Sequence, residues 1–126
     1  MSFDWRDFHT LATELCNRPD EASKRSAISR AYYSVYCTAR AWIERKLGVL
    51  VVEEARYLKK SAHEYVWDSV EELEGGRYAD LAQDGKGLLR SRGRADYTPV
   101  IDKLQILAAT EVVRAGDMLN ALDSMP

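Results

Sequence analysis

Histidine and cysteine are scarce in this chain, two of each in 126 residues. His9, His63, Cys16 and Cys37 fall into no spacing that holds zinc, so no metal is expected. The cysteines lie on apolar helix faces and read as reduced core thiols rather than a disulfide or redox pair. Long apolar runs are missing as well. The longest, Leu47–Val52, is far too short to cross a bilayer. The opening MSFDWRDF has the features of neither a signal nor a transit peptide, so a cytoplasmic protein with no membrane association is expected. An excess of one charge is also absent. Eighteen Lys and Arg against twenty Asp and Glu leave −2, so any nucleic-acid contact must come from a local patch. There is no internal repeat, no strand-type alternation and no nucleophile elbow. The one glycine-rich stretch, GKGLL, lacks the strand and spacing of a phosphate loop. No cofactor is expected.

What the chain does have is helical periodicity, within a single domain over 1–126. A first segment, about 4–16, sets Trp5, Phe8, Leu11, Ala12 and Leu15 on one face. The second, about 21–47, carries Ile28, Ala31, Tyr32, Val35, Ala39 and Trp42, with Asp20 or a neighbour as cap and Gly48 as stop. Residues 49–60 read as a loop that folds its valines onto the bundle. Ser61-Ala-His-Glu64 is a capping box opening a third helix, which ends at Gly75-Gly76. A fourth segment, about 77–92, contains Gly85 and Gly87, each costing a helix about 1 kcal/mol relative to alanine, and Gly93 is its natural terminator. The fifth runs from about Asp102 to Leu122 with Leu104, Leu107, Ala108, Val112, Ala115, Leu119 and Leu122 inward. The fold class is all-α, a helical bundle. Tyr33, Tyr36, Ser34, Thr38 and Ala41 exceed what the core stripe of the second helix needs and are expected to form a homodimer face.

One dense basic run stands out: Lys86, Arg90, Arg92 and Arg94, within nine residues that include no acid. Guanidinium forks suit bidentate contact with phosphate oxygens, so these four, with Arg30 of the second helix, are the candidate nucleotide- or RNA-binding residues. SRGRADY, residues 91–97, reads as a turn or hinge. Asp96 is expected to be a structural ion-pair partner of Arg30 or Arg92.

Three motifs occur in a particular order: Arg30-Ala-Tyr-Tyr-Ser-Val-Tyr, then Ser61-Ala-His63, then Arg92-Gly-Arg-Ala-Asp96-Tyr97. Together they resemble the HEPN family, the nucleotide-binding domains of higher eukaryotes and prokaryotes, over about residues 5–122. The resemblance implies an up-and-down bundle of four to five helices, dimerising, from a prokaryotic toxin–antitoxin, defence or mobile-element module. Its partner would be a minimal nucleotidyltransferase or an antitoxin. The family's ribonuclease branch carries an arginine, four to six residues, then a histidine. Here Arg92 leads instead to Tyr97, Thr98 or Pro99, and Arg90 and Arg94 reach no histidine either. A tyrosine phenol with its ordinary pKa of about 10 is only about one part in a thousand ionised at pH 7, a poor base. The resemblance therefore implies a protein that binds nucleotide, RNA or a partner without the family's ribonuclease activity. The alternatives are a metal-independent endoribonuclease with Arg92, Tyr97 and His63 as catalytic residues, and a structural partner that docks a nucleotidyltransferase.

Overall fold

The computed structural model describes residues 2–126, and among these every regular element is helical. Asp7–Cys16 is α1, Glu21–Leu47 is α2, Val51–Tyr57 is α3, Ala62–Glu72 is α4, Ala79–Tyr97 is α5 and Leu104–Asp123 is α6; a 3₁₀ turn, Leu73–Gly76, follows α4. The 27-residue α2 is the axis, and α1, α6, α5 and α4 all pack on it. The whole expected stripe of α2 is buried, and so are Ser34 and Tyr36 behind it. Those two residues were expected on a dimer face. They lie inside the subunit instead, because α2 is covered on more than one side.

The starts and stops follow local chemistry where it exists. Asp20 accepts from the Ser23 amide at 2.9 Å to cap α2, and Gly48, left-handed at φ 66°, ends it. Ser61 Oγ accepts from the Glu64 amide at 3.0 Å, the serine half of the expected capping box. On α1 only Ala12 of the expected face is fully buried, while Trp5 and Leu11 stay exposed. On α6 the expected residues are buried as read, except Leu107, which is only partly so, and Met118 and Glu111 join them. Glu111 is a buried carboxylate with Arg114 Nε at 3.3 Å.

Two further expectations fail. Residues 51–57 form a short helix rather than a loop, since the Glu44 carboxylate of α2 accepts from the Val51 amide at 2.9 Å and supplies the cap that Leu50 cannot. Gly93 does not end α5 either. The helix runs through it to Tyr97, so SRGRADY is more than a turn of helix rather than a hinge. A methyl group at Gly93 would meet nothing within 4 Å, and the residue has no positive φ. Gly93→Ala is therefore expected to stabilise the protein by about 0.5–1 kcal/mol in a urea melt. A destabilised variant would show that the helix stops there.

Candidate functional site

The α5 helix ends at Thr98, whose extended backbone precedes Pro99, and a residue 70 positions before Ala95 secures that end. Arg25 of α2 reaches across with one guanidinium: Nη1 donates to the Ala95 carbonyl at 2.9 Å and the Thr98 carbonyl at 2.7 Å, and Nη2 to the Pro99 carbonyl at 3.1 Å. Three carbonyls at and beyond the helix end are thereby satisfied by a cation, which the negative end of the helix dipole favours. This clamp sets the last turn of α5 against α2, and with it Arg92 and Asp96.

Helical register splits the basic run. At about 100° per residue, Arg90 and Arg94 lie about 160° round the helix from Arg92. Arg90 and Arg94 are exposed. Lys86 faces α4, where its ammonium sits 2.7 Å from Glu71 and 3.0 Å from Asp68. Glu71 first and then Asp68 hold the Lys86 pKa above its ordinary value, and the charge is spent within the fold. Four cations adjacent in sequence thus do not form one surface.

Arg92 alone turns toward α2 and α4. Its Nε lies 2.9 Å from Asp96 Oδ2, one turn on; Arg30 is not the partner. The Nε–H is not aimed at that oxygen, and the nitrogen is sealed from solvent without a hydrogen bond. The guanidinium carbon stands 5.4 Å from the centre of the Tyr33 ring and 5.8 Å from that of Tyr97. Arg30 lies over the same Tyr33 ring at 5.0 Å and over Phe8 at 4.9 Å. Two guanidinium groups from different helices therefore share one aromatic ring. Each gains from the ring's quadrupole, but only one carboxylate, Asp96, is paired with either of them among the described residues.

His63, in the first turn of α4, adjoins this pair. Its ring stacks on Tyr36 at 4.2 Å, and its Nδ1 is 2.6 Å from the Tyr32 hydroxyl. That hydroxyl accepts from Trp67 Nε1 at 3.1 Å. Burial first, and then the Arg92 charge, push the His63 pKa below its usual value, so the ring is neutral at pH 7. Burial raises the Tyr32 phenol well above its ordinary value, which keeps that hydroxyl protonated. Trp67 is sealed in the core because Gly85 of α5 lets the two helices close on its ring.

The structure thus gathers Arg92, Arg30, His63 and, at the rim, the exposed Tyr97, and leaves Arg90, Arg94 and Lys86 outside the cluster. The sequence marks none of Arg25, Tyr32 and Trp67 as a part of this cluster. The one available signal was Gly85, a costly glycine inside a helix, which marks close approach by something large. Among the described residues no group of three or more His, Cys, Asp and Glu side chains is placed to hold a metal. Compared with family models, curated proteins and solved structures, the chain finds no match.

Proposed function

We propose that the chain binds the phosphate groups of a nucleotide or of single-stranded RNA at Arg92, Arg30 and His63, without cleaving them. The observation that supports this is the pair of guanidinium groups over Tyr33, whose positive charge a single carboxylate does not balance. A phosphate would complete it. His63 is a poor proton acceptor in this setting, since its Nδ1 is already engaged by Tyr32 and its basicity is lowered. Tyr97, exposed and without a base beside it, suits stacking on a nucleobase better than proton transfer. The resemblance to the HEPN family adds the wider reading, a small cytoplasmic member of a toxin–antitoxin, defence or mobile-element module. A homodimer belongs to that reading. Exposed Val100, Ile106 and Val113 offer apolar surface for it in place of the α2 face.

The test is RNA binding by fluorescence anisotropy at low and moderate salt. Affinity should fall with salt, and Arg92→Ala and Arg30→Ala should each weaken it about tenfold, for any RNA sequence. Arg90→Ala and Arg94→Ala should do much less, since those side chains point elsewhere. Cleavage of the RNA in EDTA, lost in both Arg92→Ala and Tyr97→Phe, would establish the endoribonuclease reading instead. Absence of binding at low salt would leave docking of a nucleotidyltransferase or antitoxin as the role of this surface.

A further inference from the structure

The hydrogen-bond chain behind His63 runs in one direction only. Trp67 Nε1–H is solely a donor, so at 3.1 Å it must donate to the Tyr32 oxygen. The Tyr32 side chain is fully buried, and the one acceptor within reach of its own proton is His63 Nδ1, at 2.6 Å. Were Nδ1 protonated, two N–H groups would converge on the phenol oxygen and the buried phenol proton would have no partner, an arrangement that proteins avoid. Nδ1 is therefore the acceptor, and the ring proton sits on Nε2. Nε2 has no hydrogen-bond partner among the described residues and is not sealed from solvent. The groups that surround the ring are Tyr32, Tyr33 and Tyr36 from α2 and the Arg92 guanidinium, with its Asp96 carboxylate, from α5.

From this geometry we infer that Tyr32 and Trp67 are positioning residues that hold His63 as a neutral imidazole with its Nε2–H turned outward, a hydrogen-bond donor to a phosphate oxygen beside Arg92. The inference rests on the phosphate-binding reading for its ligand but not for its tautomer. It assigns two core aromatic residues to the site. It also makes His63 a fixed donor whose contribution does not depend on acquiring a charge. Phosphate recognition would then not weaken between pH 6.5 and 8, where an imidazolium donor would be lost.

Histidine-selective ¹⁵N labelling with two-bond ¹H–¹⁵N correlation reads the tautomer directly. Only His9 and His63 contribute, and His63→Gln identifies the second. The wild-type protein should show His63 as the Nε2–H tautomer at pH 7.5, with protonation below the ordinary range. In Tyr32→Phe the two tautomers should mix and the titration midpoint should rise. Trp67→Phe, which removes the indole donor but keeps a ring, should shift the same signals less. Titration with inorganic phosphate should move the His63 Nε2 resonance, with affinity about threefold to fivefold weaker in Tyr32→Phe. An Nδ1–H tautomer or an even mixture in the wild-type protein overturns the inference, whether or not Tyr32→Phe folds. A fixed Nε2–H tautomer that phosphate leaves unmoved keeps the positioning chain and removes the phosphate site.

Discussion

Gly85→Ala is expected to destabilise the protein by about 3 kcal/mol, at the upper end of the usual cost of overpacking. A Cβ at this position would stand 2.4 Å from Trp67 Cε3 and 2.5 Å from Cδ2 and Cζ3. These are atoms of a rigid bicyclic ring, not the far end of a flexible chain. The ring is fully buried, and its helix, α4, is packed on both α5 and α2. Alanine's better helix propensity returns only about 1 kcal/mol, so the clash wins. The effect should also reach the site, because any retreat of Trp67 lengthens its bond to Tyr32. Urea denaturation followed by tryptophan fluorescence measures the first effect, and the His63 resonances measure the second. A melt within 0.5 kcal/mol of wild type would mean that α4 and α5 do not meet in this register. The contrast with Gly93→Ala, eight positions on in the same helix, separates packing from backbone propensity.

Arg25→Ala should cost about 2–4 kcal/mol. The guanidinium is largely buried and donates to three carbonyls, each bond being of the charge-assisted kind worth about 1.5–3 kcal/mol before the freed carbonyls recover water. Its contact with Glu21, 3.0 Å away on the solvent side, adds little. Arg25→Lys should recover less than half, since one ammonium cannot reach carbonyls spread over residues 95–99. Hydrogen exchange should show the last turn of α5 opening locally in Arg25→Ala, with the amides near Leu88 still protected. Equal loss of protection along the whole helix, or a melt changed by less than 1 kcal/mol, would mean that the clamp is incidental. Because Arg92 lies on the turn that Arg25 secures, RNA affinity should fall with it even though Arg25 itself touches no ligand.

Much of the bundle was legible because its signals are local. The apolar stripes of α2 and α6, the Asp20 and Ser61 caps and the Gly48 stop all lie within a few residues of the structure they dictate. The failures share the opposite property. Helix α3 has no cap of its own and depends on Glu44, on the preceding helix. The last turn of α5 is secured by Arg25, distant in sequence. Spacing placed Arg90, Arg92 and Arg94 together, and a helix then turned Arg92 away from the other two, because residues two apart point nearly opposite ways. Of the candidate cluster, Arg92 and His63 were singled out in the sequence, but not the contacts that bring them together. Nothing in the one-dimensional order links Tyr32 to Trp67, which meet only because α4 crosses α2.

The central position of α2 has a consequence for unfolding. Since α1, α4, α5 and α6 are each anchored on it, no pair of helices can leave the bundle without uncovering part of the same axis. Partial opening is therefore confined to α3 and the chain ends, and the rest must come apart as a unit. Some of the packing on α2 joins elements far apart in the chain, α6 above all and Trp42 with Pro126, so the axis is not fully covered until the last helix is in place. A protein built this way is expected to unfold in one cooperative step, with coincident urea transitions by tryptophan fluorescence and far-UV circular dichroism.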